Sequence, residues 1–589
     1  VRVLFTFFQV LLFMHACTAL TPPASPCRVG VPAYTDAGVV CGVVRLAEDN
    51  VPYASFRGVP YAKQPLGELR FKLEPAEPWG VLDATNEGPI CLQTDVLYGR
   101  IMRQPQVQSE ACIHANIHVP LDALPQAVGG PIGQPQPAYT AEVSSPGLPI
   151  LVFIHGGGFA FGSGDADLHG PEYLVTMKVI VITFNYRLNV FGFLSMNTTK
   201  IPGNAGLRDQ VTLLRWVQRN AKYFGGDPDD VTIAGQSAGA AAAHLLTLSK
   251  ATEGLFKRAI LMSATAASSF YSPNPAFAQV FSKLLLNILG ITSTDPDDIH
   301  RQLIELPAEK LSEANKFLID YSGLTSFVPT IESSLPGVTT IIDDDPDTLI
   351  ANGRGKNIPI LVGYTSAECE TFRRRLVEFG LVKKIQDNPF LVVPPKILFA
   401  TPQNIHMDLA KKIDRKYYNG TINVDNFVKS CSDGFYEYPA LKLAQKREKT
   451  RGAPVYLYRF AYAGQSSIIK EVTGLTYEGV GHIEDVTYVF KVNSVLNAPG
   501  ATPPTDLDIC MKDLMSDFFV NFMKLSYSTL KGFVDYLYNN NTFSNSKYNN
   551  NKPCYEISST NVIGFVLNPY PIFQIKFTIN PRIFTFKLM

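Results

Sequence analysis

Short runs of apolar residues recur along the chain, each bounded by glycine, proline or polar residues. They occupy positions 150–154, 179–183, 231–234, 259–262, 358–362 and 455–460. Such short runs between turn signals are typical of strands that are buried on both faces. Segments with helical spacing lie between them, as at 206–223, where Leu207, Val211 and Leu214 fall on one face. We therefore predict an α/β fold with a large, mostly parallel central sheet flanked by helices.

The first residues have the pattern of a secretory signal peptide. Arg2 precedes an apolar run at 3–14 and small residues follow up to Ala19, so we predict a signal peptide at 1–19 and an extracellular protein. The alternative is a buried N-terminal strand. The run is too short to span a membrane, and no later segment has 18 consecutive apolar residues. Because the sequence begins with Val1 rather than Met, we expect its start to be incomplete.

Length and charge limit the number of domains that the chain can form and the kinds of partner that it can bind. At about 150 residues per domain the chain would form about four domains, but no linker divides it, so we predict one domain at 20–571 with a flexible Asn-rich insertion at 536–551. Residues 572–589 are an atypical tail, either lineage-specific or a reading-frame artefact. The 52 basic and 52 acidic residues balance, which argues against a nucleic acid partner because phosphate-binding proteins are usually strongly basic. We expect a monomer.

Cysteines and glycosylation sequons fit an exported chain. Loss of the signal peptide would leave eight of the nine cysteines, and eight cysteines allow 105 pairings, so their spacing decides none of them. Cys27 and Cys41 could pair across a hairpin. Asn-x-Ser/Thr sequons at Asn197, Asn419 and Asn540 predict surface glycans.

A candidate nucleophile lies in the Gly-Gln-Ser-Ala-Gly segment at 235–239, between a predicted strand and a helical pattern. This order is the context of a nucleophile elbow, in which Ser237 would adopt strained backbone with its hydroxyl exposed. The N–H of Ala238 would lie at a helix N-terminus, where developing negative charge is favoured. The alternative is a serine that caps a helix between two turn glycines.

A second glycine-rich segment, His-Gly-Gly-Gly at 155–158, follows the predicted strand at 150–154. Successive glycines let backbone N–H groups approach a ligand without obstruction by side chains. This is the HGGG type of oxyanion loop, so Gly157, Gly158 and Ala238 are the candidate donors to a tetrahedral intermediate. The alternative is a flexible turn.

With these two segments the chain resembles the carboxylesterase/cholinesterase family of α/β-hydrolases. Further matching segments are Phe-Arg-Gly-Val-Pro-Tyr-Ala at 56–62, Asn-Tyr-Arg-Leu at 185–188 and Phe-Gly-Gly-Asp-Pro at 224–228. The resemblance covers about residues 27 to 524. It implies a disulfide between Cys91 and Cys112 and an ion pair between Arg57 and Glu110.

The resemblance also implies the remaining members of a catalytic triad. The acid is Glu368, which directly follows a predicted strand, and the base is His482, in Gly-Val-Gly-His-Ile-Glu-Asp. Glu370 is a rival, but it lies two positions from the family's motif. The alternative interpretations are a solvated carboxylate and a surface or capping histidine. As base, His482 would take the proton of Ser237 and deliver it to the leaving alcohol, and no metal or organic cofactor is needed.

Gln236 indicates which subgroup of the family the chain resembles. Most family members have Glu before the nucleophile, and the loop from Cys91 to Cys112 lacks the Trp with which cholinesterases hold a quaternary ammonium. Gln236 is instead typical of insect juvenile hormone esterases, which implies a small apolar substrate, the methyl ester of an epoxide-bearing isoprenoid. The alternatives are a general insect carboxylesterase for xenobiotic, dietary or odorant esters and a secreted binding protein that has lost catalysis. The candidates for residues that face the substrate are Gln236, Phe159 and Phe161, and the alternative for the two phenylalanines is that they are ordinary core aromatics.

Overall fold

The structure is a computed structural model that describes most of the chain between residues 27 and 567. The described ranges are 27–28, 30–97, 107–125, 147–323, 325–464, 467–497 and 502–524, with the backbone of 562–567. The predicted signal peptide at 1–19, the insertion at 536–551, the tail at 572–589 and Asn540 lie outside these ranges.

Most strands of the described ranges form one large sheet. Strands β1 to β14 are, in chain order, Val31–Thr35, Gly38–Leu46, Pro52–Pro60, Val81–Asp83, Ile90–Cys91, Gln108–Ser109, His114–Pro120, Leu148–Ile154, Ile180–Phe184, Gly226–Gln236, Arg258–Met262, Ile360–Thr365, Val455–Ala461 and Val562–Leu567. The sheet has the order β1-β2-β3-β7-β9-β8-β10-β11-β12-β13-β14, with β4 beside β2. Strands β5 and β6 pair separately.

The sheet is parallel at its centre and mainly antiparallel at its edges. The strands from β9 through β8, β10, β11 and β12 to β13 run parallel. Antiparallel pairing joins β9 to β7 on one side and β13 to β14 on the other. Each of the six predicted apolar runs lies in or overlaps one of the central strands. Helices cover both faces of such strands, which is why they are continuously apolar.

Helices connect the strands and pack on the sheet. In the described ranges the α-helices α1 to α17 are Glu172–Val175, Asn189–Phe193, Ala205–Asn220, Ala238–Leu248, Pro275–Ile288, Pro296–Glu305, Ala308–Ser322, Pro346–Ala351, Arg373–Glu378, Leu381–Asp387, Pro395–Ala400, His406–Tyr417, Val424–Cys431, Tyr438–Lys449, Ile468–Thr473, Asn493–Leu496 and Asp506–Lys524. Helix α3 buries the predicted apolar face, with Leu207, Val211 and Leu214 all at or below 2% exposure. None of the described helices is both long and apolar enough to cross a membrane.

The carboxyl ends of the parallel strands meet at one edge of the sheet. The glycine-rich segment at 155–158 follows β8, Ser237 follows β10, and Glu368 lies three residues after β12. In open α/β sheets this edge is where ligand sites form. The sheet order therefore brings together segments that are more than 200 residues apart in sequence.

One ion pair implied by the family resemblance is wrong. Glu110 pairs with Arg70, with Nε–Oε1 at 2.7 Å and Nη2–Oε2 at 2.9 Å, and not with Arg57. Arg57 lies 3.3 Å from Glu87 instead. Arg70 also donates to the carbonyl oxygen of Leu303 at 2.7 Å. The planar guanidinium thus binds the carboxylate with two parallel bonds, the geometry that Arg favours.

Three disulfides join described cysteines. They are Cys27–Cys41, Cys91–Cys112 and Cys369–Cys431. The first is the pairing considered above for a hairpin, the second is the pairing that the family resemblance implies, and the third was not expected.

Candidate active site

Ser237 joins β10 to helix α4 in a strained backbone conformation. Its φ of 57° and ψ of −125° lie in a region that residues other than glycine rarely adopt. The residue is only 3% exposed, yet its side chain lies on the wall of a cavity. This strand–turn–helix geometry is that of a nucleophile elbow.

Two glycines permit the turn at Ser237. A Cβ atom on Gly239 would lie 2.0 Å from the carbonyl oxygen of Ile154, at the end of β8. A Cβ atom on Gly235 would lie 2.2 Å from the carbonyl oxygen of Gly239. Both distances are well below van der Waals contact. Glycine at 239 therefore lets α4 start close to β8, and glycine at 235 lets α4 start close to the end of β10.

Glu368 and His482 form a fully buried pair. Glu368 Oε2 lies 2.5 Å from His482 Nδ1, and its Oε1 accepts the backbone N–H of Thr365 at 2.7 Å. Both side chains are 1% exposed. The rival carboxylate of Glu370 pairs with Arg373 at 2.7 Å. The structure therefore brings Glu368, and not Glu370, to the imidazole.

The predicted oxyanion donors lie beside Ser237. Gly157 and Gly158 have φ values of 103° and 64° and line the same cavity. A Cβ atom on Gly157 would lie 2.0 Å from the carbonyl oxygen of Phe161. Within the described ranges, the N–H groups of Gly157, Gly158 and Ala238 donate to no other protein group. They are therefore free to bind a negatively charged oxygen.

Contacts of His155 fix the position of the oxyanion segment at 155–158. Its ring stacks on Tyr186 with centroids 4.5 Å apart, and Tyr186 OH donates to the carbonyl oxygen of His155 at 3.0 Å. Nδ1 lies 2.8 Å from the carbonyl oxygen of Gly156. Burial lowers the pKa of His155 to about 4, so the imidazole is neutral at pH 7. The neutral ring of His155 therefore places no positive charge beside the backbone N–H donors.

Ser237 and His482 each hydrogen-bond to a different side chain. Ser237 Oγ lies 3.0 Å from Tyr271 OH, and the amide Nε2 of Gln236 lies 3.0 Å from His482 Nε2. No hydrogen bond joins these two described residues directly. Since the amide donates, His482 Nε2 accepts and the proton of the neutral ring lies on Nδ1, towards Glu368. This is the tautomer that a general base requires.

A cavity of about 590 Å³ adjoins Ser237. Apolar members of its wall include Phe161, Phe270, Phe372, Leu376, Phe379 and Ile413. The described wall contains no carboxylate, and its two cations are engaged: Arg375 pairs with Asp320 at 3.1 Å, and Lys384 lies over the ring of Phe379. The cavity thus suits a neutral, apolar ligand.

Comparison with known proteins identifies the family to which these features belong. The family model described as "Carboxylesterase family" matches residues 31–562. The chain belongs to the carboxylesterase family. The fold is therefore the α/β-hydrolase fold of esterases, with a mixed central sheet flanked by helices.

Several relatives in this family are similar over most of the chain. A juvenile hormone esterase of Heliothis virescens is 69% identical over 518 residues, which are 88% of this chain and 89% of the relative. A juvenile hormone esterase of Tribolium castaneum is 32% identical over 83% of this chain and 82% of its own. The crystal structure of juvenile hormone esterase from Manduca sexta, with OTFP covalently attached, matches with a TM-score of 0.79 and 57% identity over 85% of this chain and 91% of its own.

The three residues predicted to face the substrate have different positions in this carboxylesterase. Phe161 is part of the described cavity wall. Phe159 is fully buried and packs on Phe193, with ring centroids 4.9 Å apart. Gln236 is buried as well and reaches His482 rather than the wall. Of the three, only Phe161 is placed to touch a ligand in the cavity.

Sequence reasoning missed three features around the triad. Cys369, directly after Glu368, forms a disulfide with Cys431 on the cavity wall. Tyr271 contacts the nucleophile, and Tyr436 packs against His482 with ring centroids 4.9 Å apart. Of the three, only the cysteine is marked in the sequence, because Cys369 directly follows the predicted acid Glu368. Neither tyrosine lies in a motif.

A further carboxyl group lies behind the triad. Asp485 is fully buried and accepts from Tyr458 OH at 2.9 Å. Burial and then the nearby charge of Glu368 raise the pKa of Asp485 to about 7. At neutral pH Asp485 therefore adds less negative charge beside Glu368 than an ordinary, fully ionised carboxylate would.

Two of the predicted glycosylation sites lie on the surface. Asn197 and Asn419 are exposed.

Among the residues that the structure describes, no cluster of three or more His, Cys, Asp or Glu side chains is arranged to hold a metal ion.

Proposed function

We propose that this protein is a serine esterase that hydrolyses the methyl ester of juvenile hormone to the hormone acid and methanol. The observation that carries the proposal is its 69% identity to the juvenile hormone esterase of Heliothis virescens over 88% of the chain. The Ser237, His482 and Glu368 arrangement beside an apolar cavity supplies the chemistry. The alternative, a general insect carboxylesterase, would use the same residues.

In the proposed acylation step, Ser237 Oγ attacks the ester carbonyl carbon while its proton passes to His482 Nε2. The amide of Gln236 must first release Nε2. Glu368 then stabilises the imidazolium through Nδ1, and backbone N–H groups bind the oxyanion. His482 returns the proton to the departing methoxide, and the product is an acyl-enzyme and methanol.

In the deacylation step, a water molecule takes the place of methanol beside His482. The imidazole removes its proton as the water attacks the acyl carbon, and then protonates Ser237 Oγ as the serine departs. The hormone acid leaves and the free enzyme is restored. The two half-reactions use the same base and the same oxyanion donors.

The cavity accounts for binding of a neutral isoprenoid. Burying about fifteen carbons at ~0.8 kcal/mol each gives an upper bound of about 12 kcal/mol before the cost of association. The described wall offers no carboxylate to attract a cationic ester. A conjugated ester is a poor electrophile, so an oxyanion site with three N–H donors suits this substrate.

Comparing kcat/KM for juvenile hormone and for 1-naphthyl acetate tests the proposal. We expect a clear preference for the hormone. A preference for the naphthyl ester would favour the general carboxylesterase. Ser237→Ala, with unchanged folding by circular dichroism, should lower both activities at least about 1,000-fold. Unchanged turnover in this variant would refute the catalytic assignment itself.

We further propose that the enzyme is secreted as a glycosylated monomer. The apolar run at 3–14, three disulfides and exposed sequons at Asn197 and Asn419 support export through an oxidising compartment. Expression of the complete gene in insect cells should place the enzyme in the medium, with an N-terminus at or near residue 20. Enzyme retained in the cells would contradict secretion, and a dimer mass by light scattering would contradict the monomer.

A further inference from the structure

The hydroxyl of Tyr271 is the group that holds the nucleophile. Its oxygen lies 3.0 Å from Ser237 Oγ, whereas His482 Nε2 is bonded to Gln236. Tyr271 is 5% exposed and lines the cavity. Among described side chains, Tyr271 is thus the direct hydrogen-bond partner of the reacting oxygen.

The ring of Tyr271 is fixed by the loop that follows β11. Its backbone N–H donates to the carbonyl oxygen of Ser268 at 2.9 Å, and its ring packs edge-on against Phe159 with centroids 6.0 Å apart. The hydroxyl also lies 3.4 Å from Tyr436 OH. A phenol held this firmly can act on Ser237 without reorganisation, which is what preorganised catalysis requires.

The phenol is a proton-bearing donor under working conditions. Burial raises the pKa of Tyr271, so the hydroxyl keeps its proton at neutral pH. It can therefore donate a hydrogen bond to Ser237 Oγ whenever that oxygen carries negative charge. It transfers no proton, because His482 supplies and removes the proton in both half-reactions.

We propose that Tyr271 is a further catalytic residue, whose hydroxyl donates a hydrogen bond to Ser237 Oγ as that oxygen leaves the acyl group. In deacylation the C–Oγ bond breaks, the electron pair goes to Oγ, and the proton comes from His482 Nε2. Oγ is the leaving group in this step alone. In acylation it is the attacking atom, and a donor that stabilises its charge also weakens it as a nucleophile.

The proposal rests on the proposed esterase function, and it makes a kinetic distinction. With p-nitrophenyl acetate, acylation is fast because nitrophenolate leaves easily, so deacylation limits kcat, whereas kcat/KM reports acylation. Removing the Tyr271 hydroxyl should therefore lower kcat at least about 10-fold, as expected for a hydrogen bond to a charged group. It should leave kcat/KM within about 3-fold of the wild type.

The experiment compares Tyr271→Phe with the wild-type enzyme by stopped-flow release of p-nitrophenol. We expect the variant to retain a burst of one equivalent per site, followed by a steady state at least about 10-fold slower than that of the wild type. Tyr462→Phe is the control, because its hydroxyl bonds to Asp508 at 3.0 Å, away from the triad. This control should leave both phases unchanged.

Two results would overturn the proposal. Unchanged kcat in Tyr271→Phe would show that the hydroxyl does not assist departure of Oγ. Equal losses in kcat and kcat/KM would show that it only positions the serine. Failure of the proposed function is distinguishable: a wrong catalytic assignment would leave Ser237→Ala active, and a wrong substrate would show as a preference of the wild type for 1-naphthyl acetate over juvenile hormone. Thermal melting of each variant identifies any loss that is due to unfolding.

Discussion

The tautomer of the neutral His482 ring is set by the uncharged amide of Gln236. The amide lies 3.0 Å from Nε2 and donates to the neutral ring. A carboxylate at this position, as in most family members, would instead accept from a protonated ring and stabilise the imidazolium. The imidazolium cannot take a proton from Ser237. Gln236 therefore leaves Nε2 as the acceptor atom that a general base needs.

This role predicts the effect of Gln236→Glu. The acidic limb of the pH profile of kcat/KM should move up by about one pH unit, because a neighbouring carboxylate favours the charged imidazole. Gln236→Leu, which removes the amide without adding charge, is the control and should leave that limb in place. An unmoved limb in Gln236→Glu would disprove the role. An unchanged preference for juvenile hormone over 1-naphthyl acetate would show that Gln236 does not set selectivity.

Asp485 predicts a dependence of stability on pH. Its pKa is raised to about 7 from an ordinary 3.8, so the folded state binds this proton more tightly than the unfolded state does. The stabilisation of the folded state by this proton is complete below about pH 4 and is lost as pH rises through about 7. In Asp485→Asn that loss is absent. The difference in Tm, variant minus wild type, should grow in favour of the variant between pH 4 and pH 8, and a difference independent of pH would contradict this.

At the scale of elements, the central strands and the two glycine-rich segments follow from local pattern. Strand β10 can be predicted from sequence because both its faces are buried and therefore apolar. The turn after it needs Gly235 for close approach of α4 to β10 and Gly239 for close approach of α4 to β8. Contacts between distant elements could not be predicted in this way. Tyr271 reaches Ser237 from the loop after β11, and Arg70 reaches Glu110, only because of tertiary packing.

The Cys369–Cys431 disulfide links the acid loop to the end of helix α13. The backbone N–H of Cys369 also donates to Ser432 Oγ at 3.0 Å. The six residues after Cys431 form a π-helix, Ser432–Glu437, which carries Tyr436. The disulfide therefore fixes the position of the loop that carries Glu368 relative to one side of the cavity wall.

Replacing both cysteines of this link by serine should lower both stability and activity. The bridged residues are 62 apart in sequence, and chain entropy assigns such a loop about 4 kcal/mol of unfolding free energy. We expect a lower Tm together with a several-fold lower kcat on juvenile hormone. The matched control replaces Cys27 and Cys41, which are 14 apart and join the segment before β1 to β2. Equal kinetics in the two double variants would contradict a link between the disulfide and the triad.

At the scale of the whole molecule, neither the chain nor the described cavity wall carries a net negative charge. The chain carries 52 basic and 52 acidic residues, and the described cavity wall contains no carboxylate. A cationic ester would lose its hydration without gaining an ionic partner. The apolar wall instead favours a neutral chain of the same size.

This difference predicts selectivity between a choline ester and its neutral isostere. We expect kcat/KM for 3,3-dimethylbutyl butyrate to exceed that for butyrylcholine at least about 10-fold, because burying an unpaired cation is costly. Ester hydrolysis by pH-stat measures both substrates under one condition. Comparable values, or a preference for the cation, would mean that the cavity holds a negative site that its described wall does not contain.

The central claim is that Ser237 becomes acylated by juvenile hormone, and peptide mass spectrometry after acid quench tests it directly. Enzyme mixed with excess hormone is quenched in the steady state, digested, and searched for the peptide that contains Ser237. We predict a mass increase equal to the hormone acyl group on Ser237, absent from Ser237→Ala. Hormone hydrolysis without that adduct, together with an acyl group on another residue, would contradict the account.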